Sequence, residues 1–180
     1  MRLPSLAAAS LLAALCAGAF AQVLAPQYPG GYKPQFDEDK PWEEQKWALP
    51  AYPADENLLR FYVSPTTPFE FFIDSKSVSV GKDGVVRYTL VARSPSGTSN
   101  VSYEGIRCES RERRLYAFGG ADRTWLQARS ADWARIPSRR SFPNNQQAAL
   151  ADEFFCVQGS HVGSPDVAVN ALARASRELR

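Results

Sequence analysis

The chain has little from which acid–base or metal chemistry could be built. It carries one histidine, His161, and three cysteines, Cys16, Cys108 and Cys156, in 180 residues. Any mechanism that needs an imidazole must use that one ring. Outside the apolar first segment only Cys108, Cys156 and His161 remain, and two cysteines and one histidine cannot complete a zinc shell without a carboxylate, so no metal site is expected. No phosphate loop, dinucleotide fingerprint or zinc-ligand spacing is present, and no cofactor is expected. Charge of one sign is also missing. The formal balance is +2, without the basic footprint that a nucleic-acid partner demands. Long apolar runs are absent beyond the first two dozen residues.

That first segment is the clearest signal. Met1 and Arg2 are followed by an uncharged Ala- and Leu-rich stretch that ends in Ala19-Phe20-Ala21 before Gln22. A basic start, an apolar middle and small residues flanking a cleavage point predict a secretory signal peptide over residues 1–21, cut at Ala21/Gln22. A membrane anchor needs about 20 apolar residues with charge beyond them; here a polar, Pro-rich segment follows, so no stable span is expected in the mature chain. Lipoprotein processing wants a small residue before the cysteine, and Leu15 precedes Cys16. The expected location is the periplasm or another oxidising compartment. The mature chain of about 159 residues suffices for one domain with a core.

With the signal removed, Cys108 and Cys156 remain. Two cysteines in an exported chain predict a disulfide, with two buried thiols as the alternative. The closed loop of about 49 residues corresponds to at most roughly 4 kcal/mol in the chain-entropy picture.

Residues 22–36 are rich in Pro, Gly, Gln and Tyr without periodicity and predict a flexible arm; residues 37–180 are expected to form a single domain. Asp39 or Lys40 before Pro41, with Glu43 and Glu44 after it, predicts a short helix halted by Pro50 and Pro53. Trp42 and Trp47 could tuck this stretch onto the domain. From Leu58 the period becomes two. Residues 59–63 read as a strand, and Phe69, Phe71 and Ile73 alternate with polar or outward positions. Val78 and Val80 lead into the turn Gly81-Lys82-Asp83-Gly84. Val86, Tyr88, Leu90 and Ala92 share one face of a long strand, opposite Arg87, Thr89 and Arg93. Val101 and Tyr103 alternate, but beyond Gly105 the pattern continues through Ile106 and Cys108, which suggests a bulge. Arg111-Glu112-Arg113 reads as the next turn, followed by a strand from Leu115 to Phe118. Asn144 or Asn145 can cap a helix reaching about Phe155, and Ser164-Pro165-Asp166 opens another with Val169, Leu172, Ser176 and Leu179 on its inner side. The expected fold is α+β: an antiparallel β-meander packed on one face by C-terminal helices.

Three runs carry a family likeness: Asp37-Glu38-Asp39-Lys40-Pro41-Trp42-Glu43-Glu44, Asn100-Val101-Ser102-Tyr103-Glu104-Gly105-Ile106-Arg107-Cys108 and Leu115-Tyr116-Ala117-Phe118-Gly119. With Trp125, Trp133 and Phe154-Phe155-Cys156, they resemble the cryptic neisserial protein family, a set of small exported Gram-negative proteins. The resemblance spans residues 36–158 and implies a periplasmic location. It assigns no residue a role.

No catalytic residue is designated. Ser79-Val80-Gly81-Lys82 matches the acylating Ser-x-x-Lys pair, but that pair works on a helix, and here it falls at a strand end and turn. His161 lies between the two predicted helices with Asp166 nearby, and no nucleophile elbow accompanies it. Asp37, Glu38 and Asp39 lack the glycine and later ligands of a cation loop. Paired carboxylates for glycoside cleavage are a matter of three-dimensional spacing that the sequence does not give.

Charge is distributed unevenly. Residues 37–56 are acidic, and residues 107–140 are rich in arginine. Either these are two solvated faces, or the acidic segment packs on the basic one, or an external anionic partner does. Arg114, Tyr116, Arg123, Trp125 and Trp133 form the candidate binding surface, suited to an envelope protein or an anionic polymer; the alternative is a core of aromatics beneath solubilising arginines. The expected function is a non-catalytic accessory or binding module. A small hydrolase of envelope material that uses His161 and carboxylates is the alternative, and a purely structural role the third class.

Overall fold

The computed structural model describes residues 41–129, 132–139 and 145–179, so the predicted signal segment, the flexible arm and the acidic run Asp37-Glu38-Asp39 lie outside the described residues. Trp42–Arg180 forms one compact unit.

The period-two segments fold as predicted into an antiparallel meander. Strands β1 (Leu58–Phe61), β2 (Glu70–Asp74), β4 (Val85–Arg93), β5 (Ser99–Arg107), β6 (Glu112–Gly119) and β7 (Trp125–Gln127) lie side by side in that order. Short β3 (Ser79–Val80) extends the β2 edge of β4, and β8 (Ala134–Arg135) extends the β7 edge of β6. The β4–β5 pairing runs without a slip from Val85↔Arg107 to Arg93↔Ser99. The bulge expected in β5 is in β6 instead. Tyr103 pairs with Ala117 while the adjacent Glu104 pairs with Leu115, which leaves Tyr116 as the extra residue. The apolar pattern of β5 changes phase because both faces of the sheet are covered, so Val101 and Tyr103 are buried on one side and Ile106 on the other. Glu112 and Arg113, expected in a turn, are already in β6; the turn is made by residues 108–111.

One face carries the helices. Asn145 caps α1 (Gln146–Leu150), its side chain accepting from the Ala148 amide at 3.0 Å. The segment continues to Phe155 as a wider π-turn (Ala151–Phe155). A two-stranded hairpin, β9 (Cys156–Val157) with β10 (Ser160–His161), occupies what the sequence suggested was loop. Pro165 then opens α2 (Pro165–Glu178), whose Ala168, Leu172 and Ser176 turn inward at helical spacing. The core joins Phe61, Ile73, Tyr88 and Ile106 of the sheet to Leu150, Phe155 and Leu172 of the helices. Ser176 Oγ accepts from the Arg60 amide at 3.1 Å, tying α2 to the first strand. The predicted disulfide is formed: Cys108, just past β5, is bonded to Cys156 at the end of the helical segment, across a sequence separation of 48. No helix among the described residues is long and apolar enough to cross a membrane.

The other face is covered by residues 42–54, a strap without regular secondary structure where a short helix was expected. A helix there would gain from its acids only a weak dipole interaction, worth about 0.3–1 kcal/mol when exposed. In the strap Glu44 meets guanidinium groups instead. A single 3-10 turn (Asp55–Asn57) leads into β1.

Candidate functional site

The five side chains of the sequence-derived surface all contact the strap or its anchors. Glu44 is the central plug. Its carboxylate receives Arg87 Nη2 at 3.2 Å, the Tyr116 hydroxyl at 2.6 Å, Trp133 Nε1 at 3.3 Å, and Arg114 Nη1. Trp47 lies on the Tyr116 ring with centroids 4.5 Å apart, and Trp42 meets Trp133 edge to face. Further along, Trp125 donates to the Pro50 carbonyl at 2.9 Å. Arg123 donates to the Pro53 carbonyl at 3.1 Å and covers the Tyr52 ring. Of the three possibilities for the two charged stretches, the acidic segment lies on the basic one.

Asp83 secures the strap's near end. It accepts from the Gln45 amide at 2.8 Å and from both terminal nitrogens of Arg87, Nη2 at 2.6 Å and Nη1 at 3.3 Å. Burial alone would raise the Asp83 pKa, but the Arg87 bond and the amides of Gln45 and Val85 outweigh it and hold the carboxyl below the usual carboxylate range. Arg87, although buried, is held firmly charged by Asp83 and Glu44. Two strand glycines make the close approach possible. A Cβ on Gly105 would lie 2.6 Å from the Tyr116 hydroxyl, and one on Gly119 would lie 2.5 Å from that of Tyr52.

The helix face is left partly uncovered. Over β4, β5 and β6, between residues 67–71 and the start of α1, lies a cleft of about 590 Å³. Phe69, Phe71, Leu90, Leu115 and Phe118 form apolar walls, and Asn100, Ser102, Arg113 and Gln147 contribute polar groups. Phe118 is 48% exposed and Phe69 38%, so the walls are open to solvent among the described residues.

Glu104, only 4% exposed, is part of the lining. Its carboxylate accepts from Ser102 Oγ at 2.7 Å, Gln147 Nε2 at 3.0 Å and the Tyr88 hydroxyl at 3.1 Å. Burial, and then the neighbouring Glu104, raise the Tyr88 pKa well above its ordinary value, so this phenol remains a donor. Three neutral donors from β4, β5 and α1 thus fix one carboxylate. Sequence reading missed this residue. The available signal was strand parity: Ser102 and Glu104 share the face of Ile106, so one end of an inward-facing row is polar.

The other candidates do not assemble. His161 sits on β10, and its Nδ1 lies 2.8 Å from the Val162 carbonyl oxygen. Among the described residues no carboxylate is hydrogen-bonded to its ring, and Asp166 is in the first turn of α2. Ser79 is in β3, whereas Lys82 lies in the turn after it, so no helical turn aligns that pair. No group of three or more potential metal ligands occurs among the described residues.

No curated protein and no solved structure matches the chain. The model of the CNP1-like family matches residues 37–173, which include the strap, the whole sheet, the disulfide and most of α2. The chain belongs to the CNP1-like family.

Proposed function

We propose that this protein is a non-catalytic binding module of the periplasm, exported by a signal peptide cleaved near Ala21/Gln22, and that its ligand seat is the helix-side cleft beside Glu104. One observation carries the reading: a buried carboxylate, oriented by three neutral donors, lines a cleft whose walls are largely apolar. Mostly apolar concavities with a few fixed polar groups are the usual form of a small-molecule site. The intramolecular disulfide suits an oxidising compartment. The surface of Arg114, Tyr116, Arg123, Trp125 and Trp133 is engaged by the strap, so an external partner there would have to displace Glu44 from three of them and the Pro50 and Pro53 carbonyls from the other two. A hydrolase built on His161 draws less support, because its Nδ1 faces a backbone carbonyl rather than a carboxylate.

The test is binding of a neutral apolar dye such as N-phenylnaphthylamine to the purified mature chain. Asn100 and Ala92 face each other across β5 and β4 at the cleft. Asn100→Trp, at an exposed position, and Ala92→Trp should each fill the space and weaken dye binding about tenfold or more, with melting temperature and far-UV spectrum unchanged. A wild-type chain that takes up no dye, or folded Trp variants that bind it as well as wild type, would overturn the assignment.

A further inference from the structure

The cleft has a second polar feature. Arg113 projects from β6 on the helix side, paired with Ile106 and beside the Leu115–Glu104 pair. Among the described residues, neither Arg113 nor Glu104 forms an ion pair; the three polar partners of Glu104 are a phenol, an amide and a hydroxyl. Two groups of opposite charge therefore line one cavity without direct contact. The strap face of the same sheet treats its charges differently: Arg87, Arg114, Asp83 and Glu44 are joined in direct pairs. A buried carboxylate with no counter-charge in direct contact is costly to maintain. A positive group delivered beside it by a ligand would complete it, and the aromatic walls would favour that charge further.

We infer that the cleft takes a small apolar zwitterion, with its ammonium on Glu104, its acidic group on Arg113 and its apolar body against Phe69, Phe71 and Phe118. A ligand of one charge alone satisfies one residue and meets repulsion from the other. This inference rests on the cleft being the ligand seat. The required chemistry is an ammonium and a carboxylate or phosphate on one apolar frame. Short apolar peptides and ethanolamine-headgroup lipids both supply it.

The test is calorimetric titration of the mature chain with two zwitterions, leucyl-phenylalanine and dihexanoyl phosphatidylethanolamine. Phenylpropylamine, phenylpropanoate and phenylpropanol serve as cationic, anionic and neutral controls. At least one zwitterion should bind about tenfold or more tightly than every control, and whichever does so identifies the source. Glu104→Gln keeps the shape of the buried side chain, and Arg113→Gln alters a half-buried position whose folding is less exposed to risk. Each should weaken the zwitterion about tenfold or more while leaving the neutral control unchanged. Controls that bind as tightly as the zwitterions, or folded variants that bind them normally, would overturn the ligand class and leave the cleft assignment standing. The class also fails if no titrant binds while the neutral dye still enters. If the dye fails as well, the cleft assignment falls with it.

Discussion

The two faces of this sheet are built on opposite plans from the same strands. On the helix face, β4 presents Val86, Tyr88 and Leu90 to a packed layer of helices, and burial of apolar surface is the main driving force. On the strap face, the same strand presents Arg87 and Thr89, which are only 4% and 0% exposed. The strap adds no strand to the sheet and is held through side chains: Glu44 and Asp83 on Arg87, and indole and guanidinium donors on the Pro50 and Pro53 carbonyls. Alternation of polar and apolar residues usually separates solvent from core. Here it separates two interiors, one apolar and one made of charges and rings. The difference predicts how each face responds when broken.

The largest effect should come from the strap side. Glu44→Ala removes the common acceptor of Arg87, Arg114, Tyr116 and Trp133 and leaves two largely buried guanidinium groups short of charge. Breaking a buried pair by deleting one partner costs about 3–5 kcal/mol. Leu172→Ala, which empties a fully buried position of α2, should cost about 2–5 kcal/mol. Urea denaturation would read both. The two positions share no partner, so the double variant should equal the sum within about 0.5 kcal/mol. A clear departure from additivity would mean that strap and helices are coupled through the sheet, and the separation into two interiors would fail.

Acid should discriminate between the faces next. The Asp83 carboxyl is held below its ordinary range in the folded chain because Arg87 and two amides overcome its burial. A carboxyl with a depressed pKa contributes stability that is complete above its unfolded value and is lost as pH falls through the folded one. Wild type should therefore exceed Asp83→Asn in urea stability by a constant margin from about pH 7 to pH 5, and the margin should shrink below about pH 4. The contribution of Leu172, being apolar, should not change over that range. A margin that stays constant into strong acid would show that Asp83 acts through shape alone.

How much of this was legible depends on the kind of interaction. The strands with clear alternation, the Gly81–Gly84 turn, the Asn145 cap, the Pro165 start and the Cys108–Cys156 bond follow from local rules that the sequence displays openly. The strap does not, because its order comes from contacts such as Tyr116 to Glu44, 72 residues apart, and its acids imitate a helix start. Strands β7 to β10, of two or three residues, are too short to show a period. Gly105 and Gly119 carried information of another kind. They mark where side chains lie close over the sheet, a cause of strand glycine that pattern alone does not separate from a bulge. The cleft was hidden for a similar reason: Glu104 reads as one more polar strand residue until Gln147 arrives from a helix 43 positions away.

The smallest expected effect tests whether burial, rather than charge itself, sets the energetics of the strap face. Arg93 lies on the same side of β4 as Arg87 and also pairs with an acid of the N-terminal segment, Asp55, at 3.0 Å. The chemistry is the same, but the Asp55 side chain is 88% exposed whereas that of Glu44 is 13%. In water an ion pair gains little, because each charge is already solvated and the salt around it screens the partner. Asp55→Asn should therefore change urea stability by no more than about 0.5 kcal/mol, several-fold less than Glu44→Ala. Arg93 also retains its position over the Phe72 ring at 5.0 Å, which does not depend on Asp55. If Asp55→Asn instead approached the cost of Glu44→Ala, the charge pattern of the segment rather than the buried socket would be holding it. The strap face would then be an electrostatic surface, not an interior.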